Sequence, residues 1–474
     1  MDSQLAPAAA GLFGGAVTVQ DGRVTVVREE ALASEHMDAL ARQAVFGDDR
    51  EKEWARWVIW EIGQQVGVRP ASIHDLYMAR GRGETKGFTV PAINVRAATY
   101  DTARAIFRTA IKLDAGAFIL EIARSEIAYT EQRPAEYVSV LLAAALREGF
   151  RGPVFVQGDH FQVNAKKFAV DATTEVNAVK QLAVEAIHAG FYNIDVDTST
   201  LVDLSQPDLD AQQRVNYEQA VELTRYVRSL EPKGVTISIG GEIGEVGTEN
   251  STPEELRAFM DGFNRVLQEK APGTAGLSKI SVQSGTSHGG VVLADGSIAD
   301  VALDLDTLKT LGEIARDEYG LSGAVQHGAS TLPDTAFNNF PKTETAEIHL
   351  ATNFQNMMYD HVPATLRSEM YAWLDTNARD ERKANDTDEQ FYYKSRKKAI
   401  GPFKKQLWGL DAETKARIAA AYDAKFEFLF TQLGVAGTKK DVTRFVQAPE
   451  LRRPMPEGGR PAVEAAPDDA DLSD

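Results

Sequence analysis

Between Gly87 and Thr352 the chain repeats one pattern: a short apolar run, then a longer stretch whose apolar residues recur every three or four positions. The runs are GFTVPAINV (87–95), GAFILEIA (116–123), VFVQGD (154–159), FYNIDVD (191–197), VTISIGGEI (235–243), ISVQSG (280–285), GAVQHG (323–328) and AEIHLAT (346–352). Their length and composition predict strands, whereas TYDTARAIFRTAIKL (99–113) and TTEVNAVKQLAVEAIHA (173–189) carry the helical period and predict crossover helices. Eight strands joined by helices over roughly 265 residues fit a (β/α)8 TIM barrel of ordinary size. An open doubly wound sheet is the structural alternative.

Outside that repeat the pattern changes. GGAVTVQDGRVTVV (14–27) predicts a hairpin turning at Asp21-Gly22, and EKEWARWVIWEIGQQVG (51–67) has helical spacing. The tail from Pro449 to Asp474 is rich in Pro, Ala and Asp, a composition that predicts disorder. The expected layout is therefore an N-terminal extension over 1–80, the barrel over 81–375, a helical extension over 376–448 and a disordered tail over 449–474.

Composition narrows the function. Hydrophobic residues make up 43% of the 474 and the formal charge is -18, which suits a folded enzyme and argues against nucleic acid as the main partner. With no cysteine, disulfides and thiolate metal sites are excluded, and a side-chain metal site must use His, Asp or Glu. MDSQLAPAAAGLFGG lacks the basic start of a secretory signal and no run is apolar enough to span a membrane, so the expected location is cytoplasmic.

The chemistry gathers at the strand ends. VFVQGDHFQV (154–163) places Asp159 and His160 at the tip of one apolar strand, and His288, His327 and His349 lie at or near the ends of three others. In a barrel those ends converge on one mouth. His160, His288 and His327 could then face one another as a three-imidazole set with an open position, as catalytic zinc requires. Glu242, in the glycine-rich SIGGEIGEVGTEN (238–250), has either a metal or another site role. SGTSHGG (284–290) and QHGASTLP (326–333) place small residues beside histidine, where exposed backbone N–H groups could cradle phosphate.

Together these segments resemble the class II (metal-dependent) fructose-bisphosphate aldolase family, from Phe88 to Thr352 and more faintly to Arg396. FTVPAINV is similar to the family's first strand and GDHFQ to its Asp-His-Cys segment. The resemblance implies that Asp159 is a catalytic acid/base and that His160, His288 and His327 are zinc ligands, with Glu242 at a second metal-binding position. In EIGEVGTEN, Glu249 matches the first acid of the family's pair and Asn250 stands at the second; Glu249 is the implied loop acid/base, Glu245 the alternative. Gly289, Gly328, Ser330 and Thr352 would face a substrate phosphate, and Arg396, in YYKSRKKAIGPFKK, a distal one.

The last strand departs from the family pattern. Where Asn-hydrophobic-Asp-Thr-Asp is usual this chain has HLATN: His349 replaces the Asn that steadies the enediolate, so it either takes over that hydrogen bond or joins the metal shell, and Ala351 replaces an Asp near the sugar hydroxyls. The resemblance implies zinc-dependent, reversible aldol cleavage of a phosphorylated ketose through an enediolate, in glycolysis or related carbohydrate metabolism. Fructose 1,6-bisphosphate is the leading substrate, and another divalent metal could serve. It also implies a homodimer or higher homo-oligomer. The alternatives are a different ketose phosphate, undergoing aldol-like transfer or isomerisation, and a non-catalytic aldolase-like accessory subunit.

Overall fold

The computed structural model describes residues 13–244, 249–285, 293 and 303–457. Two short strands, β1 (Val17–Gln20) and β2 (Arg23–Val26), form an antiparallel hairpin whose Asp21 and Gly22 both have positive φ, as a tight two-residue turn requires. A third, β3 (Val68–Ala71), belongs to the main sheet.

The eight expected strands all form: β4 (Val90–Asn94), β5 (Ile119–Ala123), β6 (Gly152–Gln162), β7 (Asn193–Asp197), β8 (Ser238–Glu242), β9 (Lys279–Val282), β10 (Ala324–Gln326) and β11 (Glu347–Leu350). Each pairs in parallel with the next in sequence, and β11 pairs with β4, so that the sheet closes on itself. Closure excludes the open sheet and makes this a (β/α)8 TIM barrel with extensions at its termini. β6 is longer than its neighbours: its first residues pair with β3 and its later ones with β7, which stacks β3 below β7 on the same edge.

The crossovers follow from sequence. The helix Thr99–Lys112 buries Ala103, Ile106, Phe107 and Ala110, one face at helical spacing, and each large side chain so buried contributes about 1.5–3 kcal/mol. Ala172–Ala189 starts on Asp171, whose carboxylate accepts the Thr174 N–H at 3.1 Å. It ends at Gly190, in the left-handed conformation that glycine favours.

The N-terminal region seals the bottom of the barrel. Tyr77, on the helix His74–Gly81, is buried and donates its hydroxyl proton to Glu347 at the start of β11, while the Ile73 N–H is held by Asn193 Oδ1 at 2.9 Å. The tail differs from the expectation of disorder as far as Arg453. Trp60 Nε1 donates to the Leu451 carbonyl at 2.7 Å, Trp57 Nε1 to that of Arg453 at 3.1 Å, and the Arg453 guanidinium lies 3.3 Å from the Trp60 ring centroid. The aromatic helix Asp49–Val66 supplies a binding face that local composition of the tail does not reveal. Residues 458–474 lie outside the described residues.

Candidate active site

In a regular strand Asp159 and His160 would point to opposite faces. β6 avoids this with a bulge: Gly158 pairs with Ile194 and Phe161 with Val196, three steps along β6 against two along β7. The extra residue lets His160 turn, at φ 40°, so that its ring and the Asp159 carboxylate enter the same mouth. Such a conformation is strained for a residue with a Cβ and persists where its surroundings hold it. Phe161 is one hold. Its buried ring folds back over Gly158, where a Cβ would stand 2.3 Å from a ring carbon.

Glu242 ends β8 and His327 follows β10. His160 Nδ1 lies 2.9 Å from Asp197 Oδ2 and 3.1 Å from Glu242 Oε1, and His327 Nε2 lies 3.4 Å from the same Glu242 oxygen. Donor atoms of His160, Glu242 and His327 are all within 4.8 Å of one another, as are those of Asp159, His327 and His349. The rings form a short column, His160 to His327 at 4.4 Å and His327 to His349 at 4.0 Å between centroids. Asp197, bonded to one nitrogen of His160, selects which nitrogen faces a ligand, the arrangement usual behind metal-binding imidazoles. His288 and Gly289 lie outside the described residues.

Beneath this column lies a layer of charge. Lys279, fully buried on β9, contacts Gln157 Oε1 at 2.8 Å, Asp195 Oδ1 at 2.8 Å and Glu347 Oε1 at 2.5 Å. Gly240 makes room for the pair: a Cβ there would stand 2.2 Å from Asp195 Oδ1 and 2.7 Å from Lys279 Cε. Gln157 also donates to Glu121 and Glu347, each at 2.9 Å. His349 spans this layer and the mouth. Its Nε2 lies 2.9 Å from Glu347 Oε1, and its Nδ1 lies between Glu121 Oε2 at 3.1 Å and Asp159 Oδ1 at 3.2 Å. Both ring nitrogens thus face carboxylates at ion-pair distance, though neither makes a well-aligned hydrogen bond.

Burial and neighbours separate the proton affinities. Burial and the Asp159 charge push Glu121 up to about 7, and burial and Asp197 do the same to Glu242. For Glu347 burial acts upward, but the Lys279 ammonium and His349 overcome it and hold the carboxyl at about 2. Burial opposes charge on His160 and His349 as well. Glu242 and Asp159 outweigh it at His160, and Glu121 and Asp159 outweigh it at His349, so both imidazoles hold protons well above their usual range.

Glu249 is exposed, and its neighbour Asn250 is tied to Asp304 at 2.8 Å. Gly328 has φ 68° before the short turn Ala329–Thr331, and Ser330 Oγ accepts the Ala351 N–H at 2.5 Å, joining the ends of β10 and β11. Thr352 opens the helix Thr352–His361. Arg396 is buried between Tyr359 and Tyr393, 5.1 and 4.6 Å from their ring centroids, with one nitrogen bonded to Asn356. Sequence reasoning missed Glu121, Asp195, Asp197, Lys279 and Glu347. Their signal is an acid or lysine at alternate positions of apolar runs, as in NIDVD and EIHL, which marks one face of each strand as polar.

The family model for class-II fructose-bisphosphate aldolase matches residues 81–406. The chain belongs to that family. Solved structures that resemble this aldolase-family chain include the fructuronate-tagaturonate epimerase UxaE from Cohnella laeviribosi, at 12% identity and TM-score 0.53, covering 88% of this chain and 93% of that one. A probable tagatose 6 phosphate kinase from Sinorhizobium meliloti 1021 aligns at 16% identity and TM-score 0.51, over 75% and 93% of the two chains. The fructose-bisphosphate aldolase from Campylobacter jejuni has 17% identity, TM-score 0.46 and coverage of 78% and 98%. At these identities the likeness is one of fold. No curated protein matches the sequence. Among the described residues of this aldolase-family chain, no helix is long and apolar enough to cross a membrane.

Proposed function

We propose that the protein catalyses metal-dependent, reversible aldol cleavage of a phosphorylated ketose, with fructose 1,6-bisphosphate the leading substrate. The observation that carries this reading is the convergence of His160, Glu242 and His327, with Asp159 beside them, at the mouth of an aldolase-family barrel.

The residues fit a divalent cation. Glu242 Oε1 and Glu121 Oε1 are buried without a hydrogen bond, and Glu121, Asp159, Asp195, Asp197, Glu242 and Glu347 bring together more negative charge than Lys279 balances. His160, His327 and Glu242 would hold the ion, with His288 the third imidazole that the family resemblance implies. Their nitrogen and oxygen donors suit zinc and also cobalt or manganese. When bound, the ion supplies Lewis-acid polarisation of the ketose carbonyl, worth several kcal/mol of barrier.

The chain's own groups move the protons. Asp159 takes the proton of the C4 hydroxyl as the C3–C4 bond breaks, the electron pair passes to the C3 side as an enediolate, and the aldehyde leaves. Glu249, itself exposed, then returns a proton to C3. Two carboxylates divide these steps because one is buried among charges and the other faces water. Gly328 and Ser330 lie at the end of β10, where backbone N–H groups would receive a phosphate of the substrate.

A second reading keeps this chemistry for a different ketose phosphate, by aldol-like transfer or isomerisation. It is favoured by His349 and Ala351, which change the polar groups of the last strand; a site built for particular hydroxyls rejects analogues strongly. The test is to quantify bound metal and follow cleavage of fructose 1,6-bisphosphate beside a panel of ketose monophosphates, for the natural chain and His160→Ala. Metal-dependent release of two triose phosphates, lost in the variant, supports the first reading. Turnover of another ketose alone supports the second. Absence of both metal and turnover refutes both and leaves the accessory-subunit alternative.

A further inference from the structure

The family resemblance gives His349 the place of an asparagine that steadies the enediolate. Its surroundings give it different work. The side chain is 6% exposed, and both ring nitrogens face carboxylates: Glu347 at 2.9 Å on one side, Asp159 at 3.2 Å and Glu121 at 3.1 Å on the other. Glu347 is itself fixed from below by Lys279, Gln157 and the Tyr77 hydroxyl. The donor set of Glu121, Glu347 and His349 would suit a cation, but the Lys279 ammonium already lies against Glu347 and supplies the positive charge there. This layer is therefore a fixed base rather than a second metal position.

We propose that His349 is a positioning residue for Asp159: anchored through Glu347 to Lys279, it sets the orientation of the acid/base carboxylate and does not act on the enediolate. The proposal rests on the reading of Asp159 as the C4 acid/base and extends it. The order is Lys279, Glu347, His349, Asp159, running from the bottom of the barrel to the mouth. Each member is buried and each neighbouring pair is within 3.2 Å. Rotation of Asp159 away from His349 would leave Nδ1 facing Glu121 alone, so the close approach of His349 favours the resting orientation of the Asp159 carboxylate.

The two roles differ in which step fails. Asp159 serves C–C cleavage, whereas hydrogen exchange at the enediolate carbon of dihydroxyacetone phosphate, without aldehyde, uses the enediolate and Glu249 but not Asp159. In His349→Asn and in the isosteric Glu347→Gln, with metal loaded, cleavage kcat should fall about 100-fold with KM unchanged, while the exchange rate stays within a few-fold of the natural enzyme. Exchange falling in parallel with cleavage would overturn the proposal and return His349 to the enediolate. Loss of bound metal in His349→Asn would overturn it by making His349 a ligand, and unchanged cleavage in both variants would overturn it outright. If the natural enzyme shows neither cleavage nor exchange, the fault lies in the aldolase reading itself, and the proposal falls with it.

Discussion

Gly158→Ala tests whether the bulge in β6 builds the site. The added Cβ would stand 2.3, 2.5 and 2.9 Å from three carbons of the Phe161 ring, where ordinary contact begins near 3.5 Å, so the ring must move by roughly 1 Å or leave. Overpacking of this kind costs about 1–3 kcal/mol. Expelling the buried ring instead forfeits about 1.5–3 kcal/mol of burial. The expected loss is therefore about 2 kcal/mol, and it falls on the turn that brings Asp159 and His160 into one mouth, so bound metal and cleavage should both drop. Phe161→Ala alone opens a cavity at a cost of about 3–5 kcal/mol. In the double variant the new methyl group occupies part of that cavity. The two losses should then sum to less than their parts by about 1–2 kcal/mol in denaturant unfolding. Strict additivity, or Gly158→Ala with full metal content and rate, would refute the claim that this contact holds the bulge.

Other consequences follow from the same geometry. Asp159→Asn should lower the cleavage kcat about 10²–10⁴-fold while metal analysis finds the ion content unchanged. Gly240→Ala forces apart the Asp195–Lys279 pair, and because breaking a buried pair costs about 3–5 kcal/mol its unfolding midpoint should fall well below that of the natural chain. Glu242, held up to about 7 in the metal-free site, must shed its proton to bind an ion. Apparent metal affinity should accordingly rise with pH through about 7 and go on rising above it as His160, which holds its proton well above the usual imidazole range, gives that proton up, with proton release seen by calorimetry in buffers of different ionisation enthalpy. Chelation should lower the melting temperature in proportion to the logarithm of the metal activity removed, and a melting temperature insensitive to chelator would contradict a bound ion.

What sequence exposes and what it hides divide along a physical line. The strands were legible because each is a short apolar run bracketed by helical spacing, and the barrel followed from their number. Asp159, His160, Glu242 and His327 stood out because polar groups at strand ends gather on one face of such a barrel. Register was not legible. Nothing in GDHFQ announces a bulge, since the extra residue exists only relative to β7, and it is the bulge that lets two successive side chains share a mouth. Lys279 was hidden for a related reason: in SKISVQS it reads as a polar residue at the edge of a strand. Only closure of the sheet brings it against Asp195 from β7 and Glu347 from β11, residues 84 and 68 positions away along the chain. A lysine in a barrel interior is tolerable only because those carboxylates oppose the burial that would strip its proton, and they hold that proton above the usual lysine range. The same closure places His349 between Glu347 and Asp159, so the histidine that replaces the family's asparagine in HLATN becomes, in the folded chain, a link between the charged base of the barrel and the carboxylate at its mouth.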